Sequence, residues 1–102
     1  MEFLLEIQVD LPHTLSPEER STLIEAERVR GRELAEAGVI RAIWRVPGRF
    51  ANRAIWSAND ATTLHAAITS LPLWPYISVN VTPLARHDLA EHCLGLTPGL
   101  AQ

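Results

Sequence analysis

Glu27 stands where an acid does not belong. The run SPEERSTLIEAERVRGRELAEAG, Ser16 to Gly38, reads as one helix, and Leu23, Glu27, Gly31, Leu34 and Gly38 recur on one face of it. That face should pack on a sheet. An acid placed there loses solvation, its pKa rises toward the range useful for proton transfer, and it becomes a candidate general base. The competing role is structural. In a helix turned slightly outward, Glu27 would pair with Arg28 or Arg30 at the surface.

Cations and one amide form the second group. Arg41, Arg45, Arg49 and Arg53 lie in or beside the stretch from 39 to 57. A guanidinium that projects into a pocket holds a carboxylate through two parallel hydrogen bonds. The same four residues otherwise make a solvated sheet face or an ion-pair network between subunits. Asn52 could polarise a carbonyl or satisfy backbone groups. All nine basic residues are arginine, so chemistry carried by lysine, as a Schiff base or in a phosphate loop, is excluded. His13, His65, His87 and His92 show no ligand spacing, and Cys93 is the only cysteine. No metal or internal disulfide is therefore expected. Trp44, Trp56 and Trp74 read as core or interface anchors.

The elements that must position these groups follow from period and punctuation. Phe3, Leu5, Ile7 and Val9 alternate with Glu2, Glu6, Gln8 and Asp10, which predicts a half-buried strand over 2–10. The helix has Ser16 as N-cap, Pro17 at its first position and Glu19 three beyond the cap, a capping box, and Gly38 as a left-handed end. VIRAIWRV and RFANRAIWS, on either side of Pro47-Gly48, predict a hairpin. Ala42, Trp44 and Val46 share one face of its first strand, with Arg41, Ile43 and Arg45 on the other. Either face could lie under the helices, since both are partly apolar. Such a sheet often has its outer face covered by another subunit.

Asn59 or Asp60 caps a second helix over Ala61 to Leu71, with Leu64, Ala67, Ile68 and Leu71 buried. Pro72 and Pro75 in LPLWPY predict an extended bend, and ISVNVTPL a last strand with Ile77, Val79 and Val81 facing in. The order β-α-β-β-α-β predicts an α+β, ferredoxin-like domain, a four-stranded antiparallel sheet with both helices on one face. That domain spans 1–87. Residues 88–102, with Gly95, Pro98 and Gly99, read as a C-terminal arm that reaches over a neighbour.

At 102 residues the chain makes one domain, and its charge of −3 with no basic stripe disfavours nucleic acid. The start MEFLLEIQVD lacks a basic region before its apolar residues, and no run is long enough to span a membrane. A cytoplasmic address is the expectation.

Several of these residues together resemble one family. LP at 11–12, Glu27, the run from Gly38 through Arg41 to Trp44-Arg45, Gly48, FAN at 50–52, LPLWPY at 71–76 and RH at 86–87 are similar to the muconolactone Δ-isomerase family. The resemblance covers about residues 3 to 87 with almost no gaps. It implies a ring-like homo-oligomer, typically a decamer, and a cofactor-free isomerase of aromatic catabolism in the β-ketoadipate pathway. There muconolactone becomes the 3-oxoadipate enol-lactone by movement of one proton. It further implies Glu27 as the base, Arg45 and Asn52 orienting the substrate, and Trp44, Ile24 and Arg41 completing the binding set. The chain departs from the pattern at two positions: Ile24 stands where members usually carry a lysine, and Ala42 where they usually carry a histidine. An aliphatic chain in place of a cation removes an anchor for an anion and raises the pKa of Glu27.

Three functions fit these residues. The first is the catabolic isomerase. The second is a related enzyme of specialised metabolism, isomerising or cyclising a larger and less anionic substrate beside Ile24. The third is a non-catalytic oligomeric module that binds a small ligand. A pocket enclosing Glu27 would favour catalysis, whereas a Glu27 saturated by ion pairs would favour the module.

Overall fold

The structure, a computed structural model, describes residues 1–93. The alternation at the start forms β1 (Glu2–Val9), and its inward residues Phe3, Leu5 and Ile7 are buried. It is flanked by β3 (Ala51–Ser57) and β4 (Ile77–Leu84), both antiparallel to it, while β2 (Ile40–Arg45) closes the far side of β3. The sheet order is therefore β2-β3-β1-β4. Two helices complete the ferredoxin-like βαββαβ arrangement, α1 (Pro17–Glu36) and α2 (Ala61–Thr69). Leu34 from α1 and Leu64 and Ile68 from α2 join one core cluster with Phe3, Leu5, Ile7, Ala54 and Trp56. Both helices thus cover the same face of the sheet.

Local chemistry sets the helix ends. Ser16 Oγ accepts from the Glu19 N–H at 3.1 Å, and Glu19 Oε1 accepts from the Ser16 N–H at 2.8 Å, so both halves of the capping box are made. At the other end α1 stops at Glu36 and Ala37 is the C-cap. The Gly38 N–H then donates to Ala35 at 3.1 Å and the Val39 N–H to Leu34 at 2.9 Å, a Schellman closure with Gly38 at φ +80°. In α2 it is Asp60, not Asn59, that caps, its carboxylate accepting from the Thr63 N–H at 2.7 Å.

Four details differ from the sequence expectation. α2 ends at Thr69, although Leu71 beyond it is buried as expected. LPLWPY does not run extended: Trp74–Tyr76 is a 3-10 turn, closed by the Tyr76 N–H on the Leu73 carbonyl at 2.8 Å. The fixed φ of Pro75 suits that turn as well as an extended bend. Val81 is 38% exposed, as a residue of edge strand β4, which has a neighbouring strand on one side only. In β2 the pairing with β3 slips between Ile40 and Ala42, so Arg41 is the extra residue of a bulge. That slip puts Ile40 opposite Trp56 and leaves Ile43 and Arg45 on the helix-covered face. Of the expected arm at 88–102, residues 88–93 form a turn and a short 3-10 stretch, Ala90–His92; residues 94–102 lie outside the described residues.

Gly31 and Gly38 give opposite expectations for the same substitution. A Cβ on either would meet open space, so only backbone energetics differ. Gly31→Ala, inside α1, should stabilise by about 0.5–1 kcal/mol, and Gly38→Ala, at positive φ, should destabilise by about 1–2 kcal/mol. Urea unfolding of the two variants checks both signs.

Candidate active site

Under α1 the sheet does not close completely. Between α1, the end of β1, the β2–β3 hairpin and the segment after α2 lies a cavity of about 230 Å³. Glu27 lines it. The stripe that carries Glu27 also brings Ile24, Arg28 and Gly31 to the wall, all within two helical turns. Opposite stand Arg45 and Asn52, partners across the β2–β3 ladder. Ile43 forms part of the wall and is nevertheless 55% exposed, which marks the side on which the cavity opens.

Among the described residues Glu27 makes one hydrogen bond. Its Oε1 accepts from the backbone N–H of Leu73 at 3.0 Å, across 46 positions of chain. Among the described residues Oε2 has no partner. Arg30, one of the two cations expected to compete for Glu27, donates instead to Glu33 at 3.1 Å and to Ser70 at 3.0 Å. Arg28 pairs with no carboxylate among the described residues. Burial therefore dominates: it pushes the Glu27 carboxyl above the usual 4.5, and the Leu73 N–H offsets part of that rise. A carboxylate raised in this way, held by one oxygen and open at the other, is suited to taking up and returning a proton.

The opposite wall supplies both donors and an acceptor. Arg45 reaches the Ala51 carbonyl through Nη1 at 3.3 Å and lies over the Phe50 ring, 5.8 Å from its centroid. No acid neutralises it among the described residues. Asn52 Oδ1 and Trp56 Nε1 are both buried without a hydrogen-bond partner there. Each such orphan costs about 1–3 kcal/mol in a folded chain, which is a reason to expect polar atoms of a ligand or water against this wall.

The structure thus brings together Glu27, Ile24, Arg45 and Asn52 and leaves Trp44 and Arg41 out of the cavity wall. Trp44 pairs with Arg53, on the outer face of the sheet, and is 45% exposed. Arg53 in turn binds Glu6 at 3.1 Å, and Glu6 accepts from Asn80 at 3.1 Å. A row from Trp44 to Asn80 therefore crosses all four strands on the face away from the helices. Arg41 falls away from the wall because it is the bulged residue. Arg28 and the Leu73 N–H were not anticipated as site groups. The helical spacing that selects Glu27 also selects Arg28, four residues after Ile24 and three before Gly31, whereas a backbone donor leaves no side-chain signal. Among the described residues no cluster of His, Cys, Asp or Glu could hold a metal ion, and no helix is long and apolar enough to cross a membrane.

Comparison with known proteins identifies the family and the fold. Residues 1–90 match the family described as Muconolactone delta-isomerase. The chain is 35% identical to Muconolactone Delta-isomerase 2 of Acinetobacter lwoffii over 92 residues, covering 90% of this chain and 96% of that protein. It is 33% identical to Muconolactone Delta-isomerase of Rhodococcus opacus over 85 residues, covering 83% and 91%. A crystal structure of muconolactone isomerase superposes with a TM-score of 0.84 at 30% identity, covering 91% of this chain and 97% of that one.

The raised carboxyl of Glu27 has a sign that can be measured. Between pH 4.5 and its higher folded value, the folded state binds more protons than the unfolded chain, so stability falls as pH rises through that window. Glu27→Gln keeps the acceptor for Leu73 and removes the charge. It should be more stable than wild type in urea at pH 7, and that advantage should vanish at pH 4.

Proposed function

This chain belongs to the muconolactone delta-isomerase family, and from that premise we propose that it isomerises muconolactone to the 3-oxoadipate enol-lactone with Glu27 as its single acid–base group. The observation that carries the proposal is a half-buried carboxylate lining a small cavity, tethered through one oxygen and, among the described residues, unpaired at the other. The same observation speaks against a module in which Glu27 is saturated by ion pairs.

The chemistry needs little else. Muconolactone is an α,β-unsaturated five-membered lactone whose γ carbon carries both a hydrogen and a carboxymethyl arm. Removal of the γ hydrogen by Glu27 breaks one C–H bond and moves the electron pair through the ring to the lactone carbonyl oxygen. The resulting dienolate takes the same proton back at the α carbon, which leaves the double bond between β and γ. No electron or atom enters or leaves. Donors are wanted where the negative charge collects; the Arg45 guanidinium on the sheet wall is suited to that oxygen, and Asn52 beside it would donate through Nδ2 rather than through its unpartnered Oδ1. A cavity of about 230 Å³ suits a molecule of this size and leaves little room for a polyketide-sized one.

The protein would work in the cytoplasm as a homo-oligomer of the ring-like kind that the family resemblance implies. Exposed Ile43 and Trp44 on edge strand β2 are apolar surface that a second copy would cover, and the arm from residue 88 would reach across to it.

Wild type and Glu27→Gln should be compared for muconolactone turnover by ultraviolet absorbance. The substitution should lower kcat by about 100-fold or more. The kcat/KM of wild type should rise with pH through the folded pKa of Glu27, above 4.5, as the base form appears. A folded wild type that leaves muconolactone unchanged would sink the proposal.

A further inference from the structure

We propose that Arg28 binds the carboxylate of the substrate, and that this contact makes the cavity select anionic lactones over neutral ones; the inference rests on the isomerase reading above. Among the described residues three charged side chains line the cavity: Glu27, Arg28 and Arg45. Glu27 is engaged by the Leu73 N–H, and Arg45 by the Ala51 carbonyl and the Phe50 ring. Arg28 is committed to nothing among the described residues. Nor is its charge spent on Glu27, whose pKa is moved by burial and by Leu73 and not by either guanidinium. The wall therefore holds two cations against one anion and would take a second anion to balance.

The layout of the substrate says which cation takes it. The carboxymethyl arm hangs from the γ carbon, the carbon that gives up its proton. The group that binds the arm must then lie beside the base, whereas the group that steadies the developing oxyanion must lie across the ring. Arg28 follows Glu27 directly on α1, and Arg45 sits with Asn52 on the sheet wall opposite. Arg28 also lies one turn beyond Ile24 on the same helix face. An aliphatic residue at 24 therefore does not make this site a neutral one; the anion's partner stands at the next turn.

The test uses a ligand that cannot react: the saturated analogue of muconolactone, as its free carboxylate and as its methyl ester, titrated calorimetrically into the full-length protein. Arg28→Gln is compared with wild type, and Arg32→Gln, an exposed arginine of α1 outside the cavity wall, controls for net charge. Wild type should bind the acid more tightly than the ester. Arg28→Gln should weaken the acid by roughly 10- to 100-fold, the range of a charge-assisted pair, and leave the ester unaffected, while Arg32→Gln keeps the preference. Equal binding of acid and ester by wild type, no binding of either, or a preference that survives in Arg28→Gln would each overturn the inference. Turnover of muconolactone by wild type separates this from the isomerase reading. An active enzyme without an Arg28-dependent preference sinks the inference alone. An inactive protein that still shows the preference sinks the isomerase and leaves the carboxylate site standing.

Discussion

A half-buried carboxylate must be held by something, and among the described residues one backbone N–H does it. The Leu73 amide reaches Glu27 at 3.0 Å from a segment that begins after α2, so helix, cavity and the approach to β4 are tied at one point. The tether explains the shape of LPLWPY. Leu71 and Leu73 are buried in the core and under the cavity, and the 3-10 turn that follows lets the chain enter β4 without pulling Leu73 away. A second hydrogen bond or an ion pair would have held Glu27 more firmly but would also have favoured its charged form. With one donor the cost of burial still prevails, and the carboxyl stays above its ordinary value.

The second constraint lies in β2. An edge strand paired with β3 in unbroken register would alternate Ile40, Ala42 and Trp44 against Arg41, Ile43 and Arg45. The bulge at Arg41 changes that alternation once, so that Ile40, Ile43 and Arg45 all reach the covered face. One extra residue thereby supplies an apolar rim and a single guanidinium, and it sends Trp44 to the outer face beside Arg53. Bulges of this kind commonly re-aim side chains beside active sites.

The fold was largely legible because each element carries its own period and punctuation: alternation in β1, a capping box at Ser16, a glycine at the left-handed end of α1, and Pro47-Gly48 between β2 and β3. Glu27 was legible for the same reason, since an acid on an apolar stripe conflicts with its neighbours. What could not be read depends on groups that leave no local trace. The covered face of the hairpin is fixed by a register slip, the partner of Glu27 is a main-chain amide, and the orphaned Asn52 Oδ1 and Trp56 Nε1 emerge only when the walls are assembled. Arg28 is a different case. Its spacing was plain, but an arginine beside a glutamate suggests an ion pair first, and only the placement of Arg30 on Glu33 and of Glu27 on Leu73 removes that role.

The cavity's electrostatics then follow from economy of charge. A base that works by being reluctantly ionised cannot have a cation in contact with it, because a guanidinium at 3 Å would lower its pKa and weaken it as a base. An anionic substrate nevertheless needs a cation nearby. One arrangement that meets both demands has the cation share an element with the base yet diverge from it. Consecutive positions on a helix do this, since residues i and i+1 point about 100° apart. Glu27 turns under the helix toward Leu73, and Arg28 lines the wall without touching it. An aliphatic Ile24 in the turn before leaves the base in apolar company, so burial keeps its effect on the carboxyl while the positive charge stays one step aside.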